Sequence, residues 1–197
     1  MSQQFNVNTW KLFQDLVVPA VLGNTAWALA SMLVNDCFYL ESLPKIISLI
    51  LITVFFIGDW IGGIETPKIR NNIRFIIASS VFYSTIVGYA IATASITASP
   101  TVAPITLICF FLTTVIGHSA GAWKRENILI PWRLVVVSFI LAVVLITKIL
   151  FGWQFLSNEL DLWIQPLLLL VYVLVWLFFG GNKVMQTVTI TTDNNYN

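Results

Sequence analysis

Asp59 makes the strongest demand on its surroundings of any residue in this sequence. It lies in Phe55-Phe56-Ile57-Gly58-Asp59-Trp60-Ile61-Gly62-Gly63-Ile64, the closing turns of a long apolar run. An acid in an apolar helix costs about 2.5–3.5 kcal/mol at the centre of a bilayer and less toward its edge. It therefore needs a counter-charge, a bound proton or a water-filled cavity. Gly58 and Gly62 flank it as a small-xxx-small pair, a spacing that lets another helix approach closely. Gly117-His118-Ser119-Ala120-Gly121 repeats the arrangement, again with an ionisable residue directly after the first glycine.

Asp15 and Arg133 complete a candidate cluster. On the topology derived below, Asp15, Asp59, His118 and Arg133 each lie a few residues inside one end of their spans, or about 6 Å at 1.5 Å per residue. Asp59 paired with Arg133 or with protonated His118 would form a proton or ion relay, or a site for a charged solute, with His118 as the pH-responsive member. Each position also has a plainer reading. Asp15 and Arg133 are near enough to the interface to reach it, Asp59 and Arg133 could form a structural ion pair, and His118 could hydrogen-bond a neighbouring helix. The pairs Gly58/Gly62 and Gly117/Gly121 are packing contacts in that reading. Asn24 and Trp27 lie about one turn apart beside Pro19, where a helix break would serve either solute binding or interhelical bonding.

The residues fit other chemistries badly. Gly117 to Gly121 matches the GxSxG pattern of a serine nucleophile, but it sits in an apolar helical run without the strand and turn that give the pattern meaning. The adjacent His118 is the single histidine, and helix neighbours point about 100° apart, so it is badly placed to activate Ser119. No His, Cys and carboxylate residues share a metal-ligand spacing, and the HExxH, phosphate-loop and dinucleotide-binding patterns are absent. No enzymatic activity, cofactor or metal is expected.

The elements that must position these groups are membrane spans. Hydrophobic residues make up 58% of the 197, charged residues 10%, and the mean hydropathy is +0.87. Soluble domains carry about a quarter charged residues, so the chain reads as an integral membrane protein with the lipid bilayer as its surroundings. A net charge of +1 and the lack of a basic stripe exclude a nucleic-acid partner. Cys37 and Cys109 are poorly placed for a disulfide. The polar start, Met1 to Asn8, lacks a basic stretch and predicts no cleaved signal segment.

Six apolar segments of about 20 residues can be drawn, over 12–34, 46–64, 74–96, 102–122, 130–151 and 162–180. The first, with Asp15, Pro19 and Asn24, reads as interrupted. With the N-terminus cytoplasmic, Lys11, Lys68, Arg70, Arg74, Lys124, Arg125, Arg133 and Lys183 fall on the inner side, leaving Lys45 and Lys148 of the ten basic residues outside. This positive-inside pattern places both termini in the cytoplasm. The expected fold is all-α, a single domain over 1–181 with six transmembrane helices in three hairpins. A polar, flexible cytoplasmic tail is expected over 182–197. Similar placements of Lys11, Arg74 and Arg133, of Pro44, Pro104 and Pro166, and of Gly58, Gly117 and Gly180 would fit three related hairpins around one axis. Bilayer thickness alone would also produce them.

Size and topology are similar to those of the substrate-binding membrane subunits of vitamin uptake systems. Ala26-Trp27-Ala28-Leu29-Ala30 holds one AxxxA spacing of the kind those subunits use to dock partners, but a single spacing of five residues assigns no family. The expected function is transport or channel activity, moving or binding a small solute or ion at the plasma (inner) membrane. The alternative is a non-catalytic membrane subunit or assembly partner of a larger complex, and a homo-oligomeric pore is a third arrangement.

Overall fold

Five of the six apolar segments fold as helices close to the boundaries their composition predicts, whereas the first, expected over 12–34, extends through the polar start of the chain as Ser2–Asp36. The structure, a computed structural model, describes residues 2–36, 39–64, 73–95, 101–122, 129–152 and 158–181. Its helices are α1 (Ser2–Asp36), α2 (Leu43–Ile64), α3 (Ile73–Ala94), α4 (Val102–Ala122), α5 (Leu129–Phe151) and α6 (Asn158–Trp176). Leu177–Gly181 continues α6 as a wider π-helical turn. The tail over 182–197 and the connections over 65–72 and 123–128 lie outside the described residues.

Prolines explain some of these boundaries and not others. Pro44 and Pro104 fall in the first turns of α2 and α4, where a missing amide proton costs nothing because those amides have no partner within the helix. Pro19 lies inside α1, which runs through it without a break. The expected interruption is therefore corrected. One proline removes a single backbone bond, and the helical turns on either side hold the segment together. At the other end of the third hairpin, Gly152 adopts φ +49° and its N–H donates to the Lys148 carbonyl at 3.0 Å. Only glycine takes that left-handed conformation readily, and it terminates α5.

The helices close into a ring in the order α1, α3, α4, α5, α6, α2. Their relative directions follow from contacts at both ends. The Gly58 turn of α2 lies against Trp176 of α6, and Arg133 at the start of α5 stacks on Phe179 just beyond α6. At the opposite end, Lys148 of α5 bonds Asp161 of α6 at 2.8 Å. Each hairpin packs on itself, but the first is turned the other way around the ring: α1 meets α3 and α2 meets α6. A threefold axis would require α2 to meet α3 as α4 meets α5, so the expectation of three hairpins around one axis is not met.

Aromatic side chains fill the ring. Phe55 meets Tyr172 at 5.1 Å, Trp176 at 5.4 Å, Phe110 at 5.5 Å and Phe82 at 6.1 Å between ring centroids, all edge-on. Such pairs contribute about 0.5–1.5 kcal/mol each beyond the area they bury. The outer surface is apolar as well, with Val54, Val81, Ile116, Phe139, Ile140 and Leu167 exposed. Helices apolar on every side belong in a large core or a membrane. Four of them are long and apolar enough to cross a membrane: Asp15–Asn35, Leu43–Trp60, Trp132–Phe151 and Leu160–Phe179. Val102–Gly117 is a shorter apolar helix.

Candidate functional site

Hydroxyl groups in this bundle usually satisfy themselves. Thr25, Thr53, Ser84, Thr85, Thr106, Thr113 and Thr147 each donate to a backbone carbonyl one turn back on their own helix. This is the ordinary solution for Ser and Thr in an apolar helix. Four buried hydroxyls depart from it, those of Tyr89, Thr93, Ser138 and Tyr172, which have no hydrogen-bond partner among the described residues. A buried hydroxyl left unpaired costs about 1–3 kcal/mol. The four groups fall in two places.

The first place brings four helices together. Tyr172 of α6 is fully buried, and its hydroxyl faces Thr114 of α4 and Ser138 of α5. Asp59 of α2 lies within electrostatic reach of that hydroxyl. The local sequence explains the alignment. Phe55 and Asp59 are four residues apart and share a face of α2, so the Phe55 ring packs on Tyr172 while the carboxylate follows one turn later. Gly58 lets Trp176 lie flat against that turn, since a Cβ there would overlap the indole. Thr114 donates to the Phe111 carbonyl at 2.7 Å, which leaves its oxygen lone pairs free to accept. The site thus offers hydroxyl groups that can donate or accept, and a carboxylate that is half-buried and engaged with its surroundings.

The second place lies toward the opposite end of the bundle, between α2 and α3. There the buried Tyr89 hydroxyl faces Ser48 and Thr93 without a well-formed bond to either. Ser48 donates to the Pro44 carbonyl at 2.9 Å. Among the described residues, Tyr89 has no acid acting on it as Asp59 acts on Tyr172. Along α2, Ser48 and Asp59 are separated by about 16 Å at 1.5 Å per residue, and Phe55, whose ring packs on those of Phe82 and Phe110, lies between them on the helix.

The residues singled out by sequence fall in several surroundings. Asp59 joins the Tyr172 group. His118 lies on the α4 backbone one turn beyond Thr114; its side chain and the surroundings of Gly62 and Gly121 lie outside the described residues. Arg133 is exposed, with its guanidinium carbon 4.6 Å from the centroid of the Phe179 ring. Asp15 is exposed on α1. Asn24 donates to the Ala20 carbonyl at 2.9 Å on the outer face, and Trp27 is 77% exposed there. The structure does not bring Asn24 or Trp27 to Asp59. Gly117 is exposed and has open space about it.

Sequence reasoning passed over Tyr172, Ser138, Thr114, Tyr89, Thr93 and Ser48. One signal was available. Tyrosine in membrane helices favours the interfaces, whereas Tyr89 and Tyr172 sit well inside their apolar runs. Among the described residues, no three His, Cys, Asp or Glu side chains gather as a metal site would require. No family model, no curated protein and no solved structure matches the chain.

Proposed function

We propose that this chain is a six-span protein of the plasma (inner) membrane, with both termini in the cytoplasm, that binds and moves a small solute or ion. The Tyr172–Ser138–Thr114 hydroxyls and the Asp59 carboxylate form its inner site, with His118 as a further titratable group on the same helix as Thr114. The observation that carries the reading is the pair of buried, unpartnered hydroxyls on Ser138 and Tyr172 beside an intramembrane acid. Apolar helices tolerate such groups at a cost, and that cost is offset when a polar ligand completes their bonds. The Tyr89–Thr93–Ser48 hydroxyls form a second station, and the aromatic rings around Phe55 separate the two.

Flux in proteoliposomes with a pH-sensitive dye inside tests this reading. Asp59→Asn should abolish proton or ion flux while keeping helix content and a single monodisperse species. Flux equal to that of the native protein would remove Asp59 from the pathway. A variant that fails to fold would instead make the carboxylate structural.

The outer face of α1 favours a second reading, a non-catalytic subunit or homo-oligomer. Gly23, Ala26, Trp27 and Ala30 are all exposed on it, a small-residue surface with one large side chain. The mass of the detergent-solubilised particle decides between a single chain and an assembly.

A further inference from the structure

A groove of about 370 Å³ opens on the outside of the α5–α6 seam, lined by Trp132, Arg133, Val136, Val137, Val175 and Phe179. Its size falls within the range of about 300–1,000 Å³ usual for small-ligand sites. The walls are apolar, and the one charged group is at the Arg133 end. Arg133 lies in the first turns of α5, where the helix dipole adds positive potential. Its guanidinium carbon lies 4.6 Å from the Phe179 ring centroid, a cation–π contact that uses no N–H donor, so the exposed guanidinium keeps its donors for an oxyanion. The π-helical turn Leu177–Gly181 carries Phe179, and turns of this kind recur at functional sites. Trp132, 49% exposed, stands beside it with an indole suited to headgroup depth.

We propose that this groove binds one anionic phospholipid, with the phosphate on Arg133 and an acyl chain along Val136, Val137 and Val175. The charge complementarity of the Arg133 guanidinium, the one charged group among the lining residues, beside an apolar trough selects a lipid over a peptide or a free anion, because neither of those offers both halves. The proposal rests on the chain spanning a bilayer, and it is independent of whether the bundle transports anything.

The full chain, solubilised in detergent, would be titrated with phosphatidylglycerol or phosphatidylcholine and the retained lipid read by native mass spectrometry. The expected result is about tenfold stronger retention of phosphatidylglycerol, equivalent to about 1.4 kcal/mol. Arg133→Gln should erase that preference, and Val136→Trp, which fills the trough, should weaken retention of both lipids. Equal retention of the two lipids by the native chain overturns the proposal, as does unchanged preference in Arg133→Gln. Displacement of the lipid by glycerol phosphate alone would show a free-anion site and overturn it too. If Arg133→Gln fails to fold, Arg133→Lys decides. Lysine keeps the charge but not the two-pronged donor, so the preference should fall severalfold, and no change overturns the idea. A chain extracted from vesicles by carbonate would fail the membrane reading itself, an outcome distinct from insertion without lipid preference.

Discussion

Gly58-Asp59 on α2 and Gly117-His118 on α4 carry the same pattern, a glycine followed by an ionisable residue near the end of an apolar helix. Their surroundings differ. Gly58 is half-buried, and a Cβ there would overlap the Trp176 indole, whereas a Cβ at Gly117 meets nothing within 4 Å. On α2, the face that carries Phe55 and Asp59 turns toward Tyr172 and Trp176 of α6. On α4, Leu107, Phe110, Phe111 and Thr114 form a buried stripe, and Gly117 lies off it and is exposed. A small-residue spacing shows that a helix can accept a neighbour. The aromatic residues one turn earlier decide whether it has one.

The largest effect should come from filling the tight contact. Gly58→Ala puts a methyl group into the Trp176 ring, and overpacking of this kind costs about 1–3 kcal/mol, against which the better helix propensity of alanine returns about 1 kcal/mol. The net loss should appear as a lower thermal midpoint in detergent. Pairing it with Trp176→Phe should recover most of the loss, because the shorter ring vacates the position the methyl group needs. Additive losses in the double variant would mean that the two residues do not touch in the folded protein.

Next in size is a divergence between stability and function at Tyr172. Tyr172→Phe keeps the ring that packs on Phe55, Phe110 and Phe111 and deletes a hydroxyl with no partner. Removing an unsatisfied buried group is neutral or mildly stabilising. The thermal midpoint should hold or rise by a few degrees while flux in proteoliposomes falls about tenfold, the loss of about 1.4 kcal/mol of ligand or transition-state interaction. A drop in both together would make Tyr172 an ordinary core residue.

The fold was legible in the sequence to the extent that one physical variable controlled it. Runs of apolar residues broken by charge and proline placed α2 to α6 within a few residues, since helix-end chemistry acts locally, but they missed the extension of α1 back to Ser2 through a polar stretch. The course of α1 through Pro19 was not legible, because the cost of one proline is weighed against the cooperativity of the whole helix. Ring order was also hidden. The faces of these helices are apolar all round, so no stripe records which neighbour each will meet, and the reversed first hairpin follows from packing alone. Asp59 was legible because charge in an apolar run is conspicuous. Ser138 and Thr93 were not, since most Ser and Thr in this bundle bond their own backbone, and only the folded structure shows that these two do not; Thr114 does bond its own backbone, and only the fold brings it to Tyr172.

The smallest expected effect lies at Gly117, and it sharpens the comparison most. With open space around it, Gly117→Ala should leave the thermal midpoint unchanged or raise it, by up to about 1 kcal/mol from helix propensity. That outcome would make the two glycine motifs opposites: the same substitution harms α2 and spares α4. A loss of about 1 kcal/mol or more would instead require atoms near Gly117 beyond those of the described residues, from another part of the chain, a second copy or a partner helix on that face. The mass of the solubilised particle, measured for native protein and for Gly117→Leu, separates these outcomes. An assembly that falls apart with leucine places a subunit interface at Gly117, and an unchanged single-chain mass leaves that face to lipid.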